Sequence, residues 1–388
     1  MNALRIVNPL GWMLLAVGVL AVLVAARTQW REVAVLGAAC LLLLLLALPF
    51  LWGRTRVRVA LVLEPERVVA GASVAAGLGV TNQANRRMLP TVLELPVGAA
   101  VHRYGVPSLA PGTGHEEAFT IRTERRGVIV VGPATTRRGD PLGTFSRDTE
   151  WTGVKEVLVR PPMVPLDSLG AGLLRDLEGV SSDAVSQSDL AFHALREYVP
   201  GDDLRHVHWR SSAKAMGSVG ESQLLVRQYV DTRRSHATIV VEDQAPGWAD
   251  ADDFETAMSV AASIAVRAVM DDFEASFVCG RQASSGSDGN LALDAVCRAD
   301  IGSVGLVVAA NQAAAMSPDT SVLFLVGGTG TGFEIFQRAA ATFPPEVRRI
   351  ALVIGAEGPS RVTEAGGITV LHLAVKEDLA GLLRWSVR

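Results

Sequence analysis

Cysteine and aromatic residues are scarce in this chain of 388 residues, and each scarcity excludes a class of site. Three cysteines without a Cys-x-x-Cys pair form neither a zinc finger nor a disulfide framework, and they suit a reducing compartment. Aromatic residues make up 5% of the chain, which is too few for an extended base-stacking surface. The net charge of −4 also argues against binding driven by phosphate charge, so we expect no nucleic-acid partner.

Long uncharged runs occur at the N-terminal end, in a chain that is 49% hydrophobic and 20% charged. We assign residues 1–55 to a membrane anchor with transmembrane helices at about 9–26 and 33–52. Each run would extend about 27–30 Å as a helix, which matches the hydrocarbon core of a bilayer. The six residues 27–32 between the runs leave room only for a tight loop, so the sequence predicts a helical hairpin that lies in the lipid bilayer.

Arginine distribution predicts the orientation of this hairpin. Four arginines lie at the outer ends of the two runs and two lie in the loop: Arg5, Arg54, Arg56 and Arg58, against Arg27 and Arg31. By the positive-inside rule, both termini face the cytoplasm. We therefore predict a two-pass protein of the cell membrane with cytoplasmic soluble domains. The alternative is a signal peptide that ends near Ala25 and Ala26.

Short strands punctuated by turn residues predict an all-β domain at 56–162. Alternating or apolar runs occur at 57–61, 118–122 and 128–131, separated by glycine, proline and asparagine, which is typical of a small β-sandwich or barrel. Residues 163–235 are interpreted as a connector, which carries an unusual segment at 195–214 and a strand-like run at 223–229.

The pattern changes at 236–388 to alternating strands and helices. Continuous apolar strands, as in a parallel sheet covered on both faces, are predicted at 237–241, 275–279, 321–326, 349–354 and 368–373. Helices are predicted at 252–270, 290–298, 333–341 and 378–385, the first of them capped by Asp250 or Asp252. The layout indicates an α/β doubly wound domain.

Residues 195–214, which we name the signature segment, concentrate charged, aromatic and turn-forming residues. Pro200 and Gly201 favour a type II turn, after which Asp202 or Asp203 would cap a short helix that begins at Leu204. On that helix Arg205 and Trp209 would stack as a cation–π pair. Three interpretations remain open: a buried polar clasp between two domains, a docking or regulatory surface, and a catalytic or metal site.

Two arguments disfavour a metal site or a catalytic site in the signature segment. His206 and His208 are two positions apart, so on a helix they would point about 200° away from each other and could not share a metal ion. A hydrolase could combine Ser211, His208 and Asp202, but the chain has no Gly-x-Ser-x-Gly motif.

The signature segment resembles the signature of the family called domain of unknown function 58. The resemblance is carried by residue type and spacing at Arg196, Tyr198, Pro200, Gly201, Asp202, Asp203, Arg205, His208, Trp209, Ser212 and Ala213. It implies membrane helices, a β-rich middle and a C-terminal domain similar to von Willebrand factor type A. It also implies a protein partner, a MoxR-type AAA+ ATPase, and it implies no reaction.

Von Willebrand A-type domains often bind Mg²⁺ through Asp-x-Ser-x-Ser after the first strand, a pattern that this chain lacks. Counted from Asp243, the two hydroxyl positions hold Ala245 and Gly247. Counted from Glu242, they hold Gln244 and Pro246. We therefore predict that this degenerate site holds no divalent metal.

The sequence predicts no cofactor site either. The glycine-rich loop at 327–332 matches neither the P-loop nor the Rossmann pattern, so we expect no bound nucleotide. Four histidines stand alone in sequence and are expected to be structural: His102, His115, His236 and His372.

The leading functional hypothesis is a non-enzymatic, membrane-tethered adaptor that partners the ATPase or assembles a cell-envelope complex, with the signature segment as its docking surface or interdomain clasp. The alternatives are a membrane-anchored hydrolase that uses Asp202, Asp203 and His208, and an extracytoplasmic adhesion-like protein. The sequence assigns no catalytic residue, and it does not define the oligomeric state.

Overall fold

The computed structural model describes residues 6–51, 56–168, 190–199, 204, 207–216, 224–231 and 235–385. The chain divides into two compact units, Met1–Pro162 and Met163–Arg388. The first unit contains two apolar helices and a β-rich domain, and the second contains α/β structure, so the chain has a multidomain layout.

The first unit begins with a helical hairpin formed by α1 (Pro9–Thr28) and α2 (Arg31–Leu51). Both helices are long and apolar enough to cross a membrane, which agrees with the predicted anchor. They pack closely, because a Cβ atom added at Gly37 would lie 3.0 Å from the carbonyl oxygen of Gly18.

The predicted six-residue loop between these helices is wrong. Only two residues, Gln29 and Trp30, separate α1 from α2. The helix continues through Arg27 to Thr28, whose hydroxyl donates to the carbonyl of Val24 at 2.9 Å. Gln29 then ends α1 in the left-handed conformation, with φ of 57°, and donates its N–H to the carbonyl of Ala25.

The β domain is built from two sheets that share one apolar core. The strands, β1–β10 in chain order, are Val57–Glu64, Arg67–Val69, Ser73–Asn82, Thr91–Val97, Ala100–Val106, Gly114–Arg122, Gly127–Val131, Thr135–Gly139, Ser146–Glu150 and Lys155–Arg160. Strands β1, β3 and β6 form one antiparallel sheet, and the second sheet has the order β2-β10-β7-β4-β8-β9 with β5 beside β4. Side chains of both sheets bury the same cluster, including Leu78, Leu93 and Val157. This arrangement is a β-sandwich.

The second unit contains a small antiparallel sheet that carries the signature segment. Strand β11 (Leu190–Glu197) pairs with β12 (Leu225–Asp231), and helix α3 (Trp209–Met216) lies between them in sequence. The connector prediction missed β11. The helix expected to begin at Leu204 is present only in part: Leu204 lies in a 3-10 turn, and its carbonyl accepts the Val207 N–H at 3.3 Å. Val207 then bridges to Val226, and the His208 N–H donates to the Leu225 carbonyl at 2.8 Å, so the chain pairs with β12 there and the α-helix begins only at Trp209.

A mixed sheet forms the centre of the α/β domain. Its strands, β13–β19 in chain order, are His236–Val241, Glu274–Cys279, Gln282–Gly286, Val322–Gly328, Arg348–Ile354, Arg361–Ala365 and Ile368–Leu373. Their order in the sheet is β15-β14-β13-β16-β17-β19-β18. Strands β14, β13, β16, β17 and β19 run parallel, and β15 and β18 are antiparallel edge strands.

Helices cover both faces of this sheet. One face packs against α4 (Ala251–Met270), α5 (Gly289–Arg298) and α8 (Leu379–Trp385). The other packs against α6 (Leu306–Met316) and α7 (Phe333–Ala340). Continuous burial along β13 and β16 explains why the sequence there is apolar without alternation.

Candidate functional site

One buried hydroxyl group adds to the backbone pairing between the signature segment and β12. Ser212 is 1% exposed; its Oγ donates to the His208 carbonyl at 3.2 Å and accepts the Leu225 N–H at 2.8 Å. His208 precedes α3, and its ring Nδ1 accepts the N–H of Ser211 at 3.1 Å. These bonds fix the start of α3 relative to the strand.

Large apolar side chains of the same segment are exposed. Trp209 is 63% exposed, Val199 57% and Leu204 56%. Trp209 is the first residue of α3, only three positions from the buried Ser212. A tryptophan on a well-fixed helix end, exposed to solvent, is typical of protein-docking surfaces.

The structure describes only some of the other signature residues. Arg196 lies in β11, and its side chain donates to the Glu197 carbonyl. Tyr198 donates its N–H to the Leu224 carbonyl, and Ala213 is exposed on α3. Five positions lie outside the described residues: Pro200, Gly201, Asp202, Asp203 and Arg205. The type II turn, the aspartate cap and the Arg205–Trp209 stacking therefore stay predictions. The hydrolase hypothesis depends on Asp202 and Asp203, which lie outside the described residues. Its third residue, His208, already uses one ring nitrogen to accept a hydrogen bond at the start of α3.

A second candidate site lies at the carboxyl ends of β13 and β16. These neighbours connect to helices on opposite faces of the sheet, which is where doubly wound folds bind ligands or partners. Glu242 and Asp243 follow β13 directly and are 3% and 2% exposed.

Both carboxylates accept hydrogen bonds from backbone N–H groups at the start of α6. Glu242 Oε2 accepts the N–H of Leu306 at 3.2 Å, and its Oε1 accepts those of Asp243 and Gln244 at 3.0 and 2.9 Å. Asp243 Oδ1 accepts the N–H of Gly305 at 2.6 Å, and its Oδ2 accepts that of Val304 at 3.1 Å. The pair acts as a remote cap for a helix whose own N-cap is a glycine.

The residues at this place do not fit the Mg²⁺ site that the resemblance implies. All four carboxylate oxygens accept backbone donors, and Ala245 and Gly247 supply no hydroxyl. Space is also short, because a Cβ atom added at Gly247 would lie 2.8 Å from Glu242 Cγ and 2.9 Å from Thr331 Oγ1. We derive no chemistry from a metal there.

The glycine-rich loop packs against the 3-10 turn Ala245–Gly247. The Gly330 N–H donates to the Gly247 carbonyl at 3.2 Å, and the Thr331 hydroxyl donates to the same oxygen at 3.4 Å. A Cβ atom added at Gly330 would lie 2.1 Å from the Pro246 carbonyl oxygen. The glycines therefore permit close backbone packing.

Asp140 forms a separate buried polar centre in the β domain. It is 7% exposed, and its carboxylate accepts the N–H groups of Leu142, Thr144 and Phe145. Burial raises the pKa of Asp140, but the hydrogen bonds from Phe145 and Thr144 outweigh burial and hold the pKa below its ordinary value. The same hydrogen bonds hold the loop that follows Asp140, and this loop contacts Asn8 at the start of α1.

Comparison with known proteins adds no function. No family model matches the chain, and no curated protein matches it. The CARDB domain of the PF1109 protein from Pyrococcus furiosus is 17% identical with a TM-score of 0.22, and the match covers 28% of this chain and 96% of that one. The putative ApaA protein from Bordetella pertussis is 13% identical with a TM-score of 0.20, over 27% of this chain and 94% of that one. The resemblance to domain of unknown function 58 therefore remains a prediction.

Proposed function

We propose that this chain is a membrane-tethered interaction protein whose partner is a MoxR-type AAA+ ATPase, and that the signature segment docks that partner. The observation that carries the proposal is the exposed Trp209 beside the buried Ser212. An aromatic side chain held on a fixed backbone loses little conformational entropy on binding, so it suits an interface anchor.

The acidic pair of the α/β domain supports an interaction role at that end of the sheet rather than a Mg²⁺-dependent one. We propose that it is von Willebrand A-like, because five parallel strands are covered by helices on both faces and an acidic pair follows the first of them. Glu242 and Asp243 are occupied in capping α6. A partner at this end of the sheet would therefore be held by side-chain and backbone contacts.

The helical hairpin supports membrane tethering. We propose that α1 and α2 cross the cell membrane and that both soluble units face the cytoplasm, where an AAA+ ATPase and its ATP are available. The arginine distribution is the basis for this orientation.

Co-purification tests the proposal. Tagged full-length protein, extracted from its native membranes in mild detergent, should retain the ATPase in stoichiometric amount. We expect Trp209→Ala to reduce the recovered ATPase at least about ten-fold while the melting temperature is unchanged, because truncation of a central interface anchor costs about 2 kcal/mol or more of binding.

Met270→Ala is the matched control, since Met270 is 67% exposed on α4 and belongs to the same unit. It should leave ATPase recovery unchanged. Full recovery of the ATPase with Trp209→Ala, or folded bait that comes down without any ATPase, would contradict the proposal.

A further inference from the structure

A polar cluster lies at the amino ends of three neighbouring strands, opposite the acidic pair described above. His236 is the first residue of β13 and is in register with Glu274, the first residue of β14. Asp319 lies shortly before Val322, where β16 begins on the other side of β13. Parallel strands begin at the same end of a sheet, so the topology brings together three side chains that are distant in sequence.

The three side chains converge on a small volume that is buried on one side and open on the other. His236 Nδ1 lies 3.3 Å from Asp319 Oδ1 and 3.9 Å from Glu274 Oε2. All three ligand atoms lie within 4.8 Å of one another. The imidazole side chain is 3% exposed, whereas the carboxylate side chains of Glu274 and Asp319 are 39% and 58% exposed.

A hydroxyl network behind the imidazole indicates its tautomer. His236 Nε2 lies 2.8 Å from Ser276 Oγ, and that hydroxyl donates its only proton to Ser285 Oγ at 2.8 Å. Ser276 therefore accepts from Nε2–H, and it also accepts from Ser317 at 2.6 Å. This arrangement leaves the lone pair of a neutral imidazole on Nδ1, pointing towards the two carboxylates.

Three electron-pair donors therefore face one another. Among the residues that the structure describes, no donor forms a hydrogen bond to His236 Nδ1, although the atom is buried. A buried lone pair beside two carboxylates is unfavourable unless a cation lies between them. In metal sites, a ligating imidazole typically donates its other N–H to a second residue, as His236 does to Ser276.

We propose that His236, Glu274 and Asp319 bind Zn²⁺, through Nδ1 and one oxygen of each carboxylate. Tetrahedral zinc with bonds of about 2.0–2.2 Å needs ligand atoms about 3.3–3.6 Å apart, so small rotations of the two exposed carboxylates complete the geometry. The fourth position faces solvent because both carboxylates are partly exposed.

This zinc site goes beyond the proposed docking function, and it differs from the sequence-based expectation that His236 is structural and that the chain holds no metal. Bound zinc would connect the starts of β13 and β14 to the segment that precedes β16. The site is separate from the degenerate site at Asp243, which lies at the opposite ends of the strands.

Zinc titration of the full-length protein in detergent, after treatment with a chelator and dialysis, tests the proposal. We expect one Zn²⁺ per chain by elemental analysis, saturable micromolar binding by calorimetry and a higher melting temperature with zinc. Asp319→Asn and Glu274→Gln remove ligands that are partly exposed, so these variants should fold. Each should weaken zinc binding by about ten-fold or more.

His372→Ala is the matched control, because it removes a histidine from the same sheet at a position distant from the cluster. It should leave the zinc affinity unchanged. Equal zinc affinity in Asp319→Asn and the unmodified protein would overturn the proposal. So would a melting temperature of the unmodified protein that does not change when zinc is added.

Discussion

Ser212 links the start of α3 to strand β12 through a single hydroxyl group. Replacing it with alanine leaves the Leu225 N–H and the His208 carbonyl without this partner. We expect Ser212→Ala to lower the free energy of unfolding by about 1–3 kcal/mol, as for other part-buried groups that lose a hydrogen bond. Chemical denaturation measures the loss. Ser211→Ala is the control, because the Ser211 side chain takes no part in these bonds; an equal loss there would contradict the assignment.

Asp140 gives the β domain a predictable response to acid. The pKa of this carboxyl is lower in the folded protein than in the unfolded chain, so its stabilising effect is complete above the unfolded value of about 4. That effect is lost as the pH falls through the folded pKa, when protonation weakens the bonds from Thr144 and Phe145.

We therefore expect Asp140→Asn to be less stable than the unmodified protein at pH 7 and to lose less stability between about pH 4 and pH 2. Denaturant titrations across this range provide the measurement. Asp148→Asn is the control, because the Asp148 side chain is 65% exposed. Parallel stability curves for Asp140→Asn and the unmodified protein would show that the backbone donors do not lower the pKa.

At the scale of secondary-structure elements, the glycine-rich loop after β16 depends on particular glycines. An alanine Cβ at position 330 would meet the Pro246 carbonyl, whereas nothing lies within 4 Å of the same atom at Gly332. We expect Gly330→Ala to cost about 1–3 kcal/mol of stability and Gly332→Ala less than about 1 kcal/mol. Thermal melting of the two variants measures the difference. If the loop needed glycine only for its flexibility, both substitutions would lower the melting temperature equally.

Secondary-structure elements were predictable where their own sequence carries an apolar pattern and a capping residue. Helix α4 was expected at 252–270 and spans Ala251–Met270, with Asp250 accepting the N–H of Asp253 as the predicted cap. The edge strands β15 and β18 were missed because they are short and only partly buried. Helix α6 was missed because its N-cap is a glycine and its capping carboxylates come from Glu242 and Asp243, far away in sequence.

The candidate sites also depend on contacts between residues that are far apart in sequence. The signature segment was recognisable because its residues are consecutive, but its pairing with β12 was not, since Ser212 reaches Leu225 across residues with no strong pattern. The cluster of His236, Glu274 and Asp319 had no sequence signal at all, because each residue begins or precedes a different strand. Only the order of strands in the sheet brings these side chains together.

At the scale of the whole molecule, the helical hairpin is attached to the β domain at the end where the chain begins. The Asn8 side chain donates to the Gly143 carbonyl at 2.9 Å and accepts from the Ser146 hydroxyl at 2.8 Å. The N–H of Asn8 also donates to the Thr144 carbonyl at 2.9 Å. The start of α1 therefore lies against the β domain, so if α1 and α2 cross a membrane as proposed, the β domain lies on the side where α1 begins.

This attachment makes the orientation of the protein testable with two introduced cysteines. The three native cysteines are buried, so they should give little background with a membrane-impermeant maleimide. Trp30 lies in the turn between α1 and α2 and is 65% exposed, and Leu89 lies in the β domain and is 75% exposed. The arginine distribution predicts that the turn faces outwards and that the β domain faces the cytoplasm. We therefore expect Trp30→Cys to react in intact cells and Leu89→Cys to react only after permeabilisation. The reverse pattern would place the docking surface outside the cell, where it could not meet an ATP-dependent partner, and would favour the adhesion-like alternative.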